Sequence, residues 1–173
     1  MAKAKDDDEF TEFVASRAGW LRGTAYLLCG DWHRADDLVQ ESITKLYTHW
    51  GRASGADNRD GYARKVLLNT FLAEQRSGWG RLVARRAAAP QDEAVGPVAD
   101  LETGLDLRRA LAALPARQRA TVVLRYYCDL SIDQTAEALA CSPGNVKSQA
   151  SRGLSTLRTL LGTGSAGTTR RTT

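Results

Sequence analysis

The stretch SIDQTAEALACSPGNVKSQASRGLSTLR, residues 131–158, decides the reading of this chain. Ser131 is followed three residues later by Gln134, the spacing of a capping box, which predicts a helix that starts at Ile132 and buries Ile132, Ala136 and Leu139. Two turns later Cys141, Ser142 and Pro143 make a short break. Ser142 can cap the next helix, and Pro143 is tolerated at its first position because the missing N–H has no partner there anyway. In that second helix Val146, Ala150, Gly153, Leu154 and Leu157 fall on one side, the side that must dock on a core. The other side carries Asn145, Ser148, Ser151, Arg152 and Ser155, with Lys147 and Gln149 on its flanks. Two short helices across a tight turn describe a helix-turn-helix, and Asn, Gln, Lys and Arg presented to a major groove can read base edges and hold phosphates. A merely solvated face would use the same residue types. Caps, turn length, inner stripe and basic outer face nevertheless agree independently, which favours DNA.

Working outward, the segment before the motif predicts further helices, with Leu105, Ala110, Leu111 and Leu114 in one, Pro115 at a first helical position, and Val122, Val123, Tyr126 and Tyr127 in the next. Residues 77–103 carry Gly78, Gly80, Pro90, Gly96 and Pro97 and no sustained apolar stripe, so they are read as a linker, with a short Ala- and Arg-rich helix around residues 81–89 as the alternative. Upstream of it the helical period returns. Phe10, Phe13, Val14, Ala18, Leu21, Ala25 and Leu28 mark a first helix over residues 9–28. Gly30 and Asp31 break and recap the chain, and Leu38, Val39, Ser42, Ile43, Leu46, Tyr47 and Trp50 form a second stripe. A loop over residues 51–61, rich in Gly, Asp and Asn, precedes a third helix over residues 62–76 with Ala63, Val66, Leu67, Thr70 and Phe71 inside. The expected fold is therefore all-α: two small helical domains, residues 1–76 and 104–162, joined by a flexible linker, with a disordered tail over residues 163–173.

Composition agrees with a folded chain, since 43% of the 173 residues are apolar and only four are Pro. Charge is unevenly spread. Residues 1–76 hold 11 Lys and Arg against 12 Asp and Glu, whereas residues 104–173 hold 10 against 4. A basic carboxy-terminal unit suits a polyanion, and a near-neutral amino-terminal one suits a protein partner or solvent. Cys29, Cys128 and Cys141 are scattered, without a C-x-x-C pair, and are read as reduced thiols; Cys29 with His33 would be an incomplete metal site, so no metal and no cofactor are expected. No secretory signal and no apolar run of membrane length is found, which predicts a cytoplasmic protein without membrane insertion. Gly162, Gly164 and Gly167 spell G-x-G-x-x-G after a helix end rather than a strand, so no dinucleotide site is read there. Without a P-loop, zinc-protease motif or nucleophile elbow, no catalytic activity is expected.

Four segments together carry a resemblance: DDLVQE at residues 36–41, RKVLLNTFLAEQR at 64–76, LPARQRATVVLRYY at 114–127, and the quoted helix-turn-helix, with Leu46 and Trp50 at an LxxxW-like spacing. They resemble, in order and spacing, the extracytoplasmic-function (group IV) sigma factors of bacterial RNA polymerase, and the KSQ-S-R recognition helix looks like an actinobacterial subgroup. The resemblance implies a sigma region 2-like domain of three to four helices that binds core polymerase and the −10 element, and a region 4-like domain that binds the −35 element. It implies core RNA polymerase as partner, through the β′ clamp helices and the β flap, together with promoter DNA and an anti-sigma factor.

The same resemblance assigns residues. Asp37, Gln40, Glu41 and Thr44 lie off the apolar stripe of the second helix, and the match implies that this ridge meets the polymerase clamp. Lys65, Asn69 and Arg76 share a separate face of the third helix, with Asn69 at the family's promoter-contacting Asn. Arg52, Asn58 and Arg59 lie where the family captures a base flipped from the −10 element, which needs stacking and edge hydrogen bonds to offset unstacking. The flanking Tyr47, Trp50 and Tyr62 are read either as base platforms or as core anchors. Asn145, Lys147, Ser148, Gln149, Ser151 and Arg152 are the −35 candidates, with Arg152 as base reader and Lys147 as phosphate holder. Gln149 departs from the family, which usually carries a basic residue there. Asp92, Glu93, Asp100 and Glu102 of the linker are read as nucleic-acid mimics or as ordinary solvated acids. A linker of roughly 27 residues spans at most about 90 Å when extended. The competing readings are a helix-turn-helix regulator that never enters polymerase and a protein-binding adaptor. The acidic ridge argues against the first and the basic recognition helix against the second.

Overall fold

The computed structural model describes residues 2–77 and 101–164, all of whose regular elements are helical. The linker mimics Asp92, Glu93 and Asp100, the alternative helix over residues 81–89, and the tail beyond residue 164 lie outside the described residues, as does the side chain of Glu102. Helix α1 runs Ala2–Cys29, α2 Trp32–Thr48, a short α3 Trp50–Ala53 and α4 Arg59–Arg76. In the second unit α5 covers Leu101–Ala113, α6 Ala116–Val122 continuing into a π-helical turn Val123–Tyr127, α7 Ile132–Leu139 and α8 Pro143–Gly164.

The ends of these helices follow the local chemistry of the sequence. Gly30 terminates α1 at φ +74 and donates its N–H to Tyr26 O at 2.7 Å, a left-handed conformation that a side chain would resist. Asp31 then caps α2 by accepting from Arg34 N at 2.8 Å. The Ser131/Gln134 capping box forms in both directions, at 3.1 and 2.9 Å, and Ser142 Oγ accepts from Asn145 N at the start of α8, where Pro143 is the first helical residue. Pro115 differs from expectation: it is the cap residue, and α6 begins one residue later at Ala116. Ile132 also differs, being only partly buried.

In the first unit α1, α2 and α4 enclose Leu21, Leu28, Leu38, Leu67, Leu68 and Phe71. Trp50 joins this core at 5% exposure, its ring 5.1 Å from Phe10 and 5.3 Å from Phe13, and it opens α3 rather than ending α2. Because α3 and an early start of α4 take up most of the expected loop, Arg52 and Arg59 are helical and Asn58 is a helix cap. In the second unit α8 packs on α5, α6 and α7 through Val146, Ala150 and Leu157. Gly153 allows its closest approach, since a Cβ there would stand 2.8 Å from Val122 Cγ2.

The two units are packed on one another. The core begun by Leu21 and Leu28 continues without a break into Ala120, Val123, Leu124, Leu130, Ala138 and Leu139 of the second unit. Conversely, Leu27 of α1 packs on the cluster of Ala110, Leu111, Leu114, Val122 and Leu157. Nothing in the apolar periodicity of α1 marks which of its residues face which unit.

Candidate nucleic-acid interface

The outer face of α8 is the simplest surface in the molecule. Asn145, Lys147, Ser148, Ser151 and Arg152 are exposed, and Gln149, half-buried, donates to Asn145 Oδ1 at 3.4 Å. Among the described residues neither Lys147 nor Arg152 is tied into an ion pair. Their cationic ends are therefore available to phosphate or to guanine edges without first breaking an internal contact. A shallow groove runs beside this face, lined by Arg125, Lys147, Ser151 and Arg158 with Tyr126 and Leu154, and among the described residues no carboxylate lines it. Arg125 and Arg158 are additions to the sequence-derived set. Arg158 lies seven residues beyond Ser151, two turns along the same face, so face counting alone finds it. Arg125 comes from the π-helical turn, held by a hydrogen bond from its Nη1 to Leu130 O, and only the folded chain brings it alongside.

On α4, Lys65, Asn69 and Arg76 are all exposed, opposite the buried Leu67, Thr70 and Phe71. The residues just before them are more committed. Asn58 Oδ1 accepts from Gly61 N at 2.7 Å as the cap of α4. Arg59 donates to Glu9 Oε1 at 2.5 Å and to Ser54 O at 3.0 Å, with its guanidinium 5.8 Å from the Trp50 ring. Both therefore have structural work to do in this state. Arg52, by contrast, is exposed on α3. Of the three flanking aromatics, Trp50 is core, Tyr47 is 47% exposed and donates to Asp7 Oδ1 at 2.8 Å, and Tyr62 lines a cleft with Asn58, Gly61 and Lys65. The platform-or-anchor question thus resolves against Trp50 as a base platform, while Tyr62 stands beside the candidate −10 residues.

The ridge on α2 is as the periodicity predicts. Asp37, Gln40, Glu41 and Thr44 are exposed, and Leu38, Val39, Ser42 and Leu46 face inward. Glu41 pairs with Lys45 at 2.6 Å and Thr44 donates to Gln40 O at 3.0 Å, both local contacts in water that hold the ridge only weakly. Next to it Asp36 accepts a fork of two hydrogen bonds from Arg22, at 2.6 and 3.1 Å, which holds its carboxyl below the usual range. Arg22 also lies 4.3 Å from the Trp32 ring, so this corner is pinned while Asp37 and Gln40 project freely.

Cys29 is buried, whereas Cys128 and Cys141 are partly buried. Burial pushes the Cys29 thiol up to about 12, and burial likewise raises Cys128. The two thiols are therefore protonated at neutral pH. Among the described residues no helix is long and apolar enough to cross a membrane.

Comparison with known proteins gives a consistent result. Residues 13–81 match the family model for sigma-70 region 2, and residues 104–157 match that for sigma-70, region 4. The chain is 33% identical over 157 residues to an RNA polymerase sigma-E factor of Streptomyces coelicolor, covering 87% of this chain and 84% of the relative. It is 24% identical to the ECF RNA polymerase sigma factor SigW of Bacillus subtilis, covering 91% of each. Among solved structures it is similar to the sigma factor RpoE of Bartonella quintana in complex with the anti-sigma factor NepR, at TM-score 0.70 and 26% identity, covering 88% of this chain and 96% of that one.

Proposed function

The chain belongs to the sigma-70 family of transcription initiation factors, and from that premise we propose that residues 1–76 grip core RNA polymerase and the −10 element while residues 104–162 read the −35 element. As a sigma factor it directs promoter-specific initiation in company with core polymerase and promoter DNA. It performs no chemistry itself, and the polymerase supplies the reaction. Its work is recognition in the compartment that holds the chromosome, the cytoplasm.

The observation that carries the division of labour is the contrast in charge between two exposed helix faces. The α8 face is basic and amide-rich, suited to the major groove through Arg152, Lys147, Asn145, Ser148, Gln149 and Ser151. The α2 face, Asp37, Gln40, Glu41 and Thr44, is acidic and amide-bearing, suited to a basic protein surface such as the clamp helices of polymerase β′. Lys65, Asn69, Arg76 and Arg52 form the −10 set, joined by Asn58 and Arg59 once these exchange their internal partners for DNA. The second unit meets the β flap, and an anti-sigma factor is a further partner, as in the solved relative.

The test is a core-binding titration of Gln40→Ala with Glu41→Ala, beside transcription from a cognate promoter. The double substitution weakens core association while the thermal melt stays in place. Full association by the doubly substituted chain would remove the ridge from the interface. Tight duplex binding without polymerase, with no initiation, would instead make the chain an operator-binding regulator.

A further inference from the structure

Helix α1 begins at Ala2, well ahead of Phe10, where its apolar stripe starts, and the added turns carry Asp6, Asp7, Asp8 and Glu9 in succession. Packing sets where these carboxylates stand. The Phe10 ring lies 5.0 Å from that of Tyr47 and 5.1 Å from that of Trp50, and Phe13 lies 5.3 Å from Trp50. Arg17, about two turns beyond Glu9, forks onto Asp60 of α4 at 2.7 and 3.1 Å. The start of α1 is thereby laid against the end of α2, α3 and the start of α4, the elements that hold the proposed −10 residues. There Asp7 Oδ1 accepts from Tyr47 OH at 2.8 Å and Glu9 Oε1 accepts from Arg59 Nη1 at 2.5 Å, while Asp6 and Asp8 are exposed beside them.

This contact singles out Arg59. Of the cations in the −10 set, Arg52, Lys65 and Arg76 make no ion pair among the described residues, whereas Arg59 is paired to a carboxylate of another helix. The pair adds little to the fold, because its side chains are 39% and 38% exposed and water screens them. Its consequence is for binding. A free cation gains from any phosphate, through direct attraction and released counterions. Arg59 gains almost nothing from phosphate alone, since it exchanges one anionic partner for another while the carboxylates of residues 6–9 repel the incoming charge. The exchange becomes favourable only when the strand also offers what a carboxylate lacks, a base that stacks or presents a matching edge.

Resting on the sigma-factor reading and the −10 assignment above, we propose that Glu9 is a specificity-determining residue for the −10 element. By pairing Arg59 it withholds that cation from any strand that offers phosphate alone, and yields it to the strand whose bases fit. Asp7 holds the Tyr47 hydroxyl in the same way. Arg52, Lys65 and Arg76 then supply a sequence-blind grip, and Arg59 supplies the discrimination. The device lies wholly within the first unit and uses no residue of the second.

The test removes the charge and keeps the shape. In the holoenzyme formed by the full chain and core polymerase, Glu9→Gln binds a labelled oligothymidylate strand, which offers phosphates and one repeated base, about fivefold more tightly than the unsubstituted chain does. The slope of log Kobs against log salt steepens by about 0.7, the value of one added phosphate contact on a single strand. Initiation from a cognate promoter, relative to the same promoter with its −10 element scrambled, falls about fivefold. Arg59→Ala added to Glu9→Gln returns the slope to that of the unsubstituted chain, a coupling that a purely structural role for Glu9 does not produce. An unchanged slope and an unchanged promoter ratio in Glu9→Gln would overturn the proposal. Failure of the unsubstituted chain to initiate with core polymerase would overturn the sigma-factor reading, and the proposal with it, and is seen before any substitution is made.

Discussion

The two surfaces proposed to meet DNA differ in how far their side chains are already committed. On α8, Lys147 and Arg152 make no ion pair among the described residues and project from a helix whose inner face alone carries its packing. Around the start of α4, Asn58 caps the helix and Arg59 bridges to Glu9 fifty positions away, with α7 close by. The first surface has no internal ion pair among the described residues to break before meeting a duplex. At the second, Asn58 and Arg59 would have to exchange their internal contacts before meeting a strand, which suits the proposed role at an element that must be opened rather than read as intact duplex. The difference teaches that a reading residue can be separable from the fold at one end of the molecule and inseparable at the other.

Substitutions can break or sharpen this contrast. The largest effect is expected at the junction. Arg119→Met removes a buried guanidinium and strands three carbonyls, and should cost about 3 kcal/mol in urea unfolding; a loss under about 1 kcal/mol would show that the junction is not formed in solution. Next, Arg152→Ala should weaken −35 recognition by about 2 kcal/mol with an unchanged melt, because among the described residues its side chain has no ion pair to lose. An unchanged promoter preference would remove it as a base reader. Asn58→Ala should instead cost about 1 kcal/mol of stability, through the lost cap at Gly61 N, alongside any loss of −10 function. If its melt is unchanged, the commitment seen at this end is false. Smallest is Ala140→Gly. Ala140 closes α7 at φ +49, so glycine should raise stability by about 0.5 kcal/mol without altering promoter choice.

What was legible in the sequence follows from how local the physics is. Ser131 with Gln134, Ser142 with Pro143, and Asp31 act within four residues of themselves, and all three form as the spacing predicts. The inner stripe of α8 and the outer ridge of α2 depend only on the helical period, and their exposure follows it. The start of α4 was less legible, because Arg59 looks like a loop cation until its partner Glu9 is placed beside it by α1. Trp50 could be read either way for the same reason, since its burial depends on Phe10 and Phe13 from another helix. Arg119 gave no signal. Within LPARQRATVV it resembles any solvated arginine, and only the meeting of Leu28, Ala112 and Leu114 shows it to be interior.

The most direct measurement is to map transcript starts genome-wide after overproducing the chain in a host whose core polymerase it fits. The account predicts new starts preceded by one shared pair of −10 and −35 sequences at a fixed spacing, with the −35 preference altered by Arg152→Ala. New starts with no shared pair, or occupancy of duplex sites without any new starts, would contradict it.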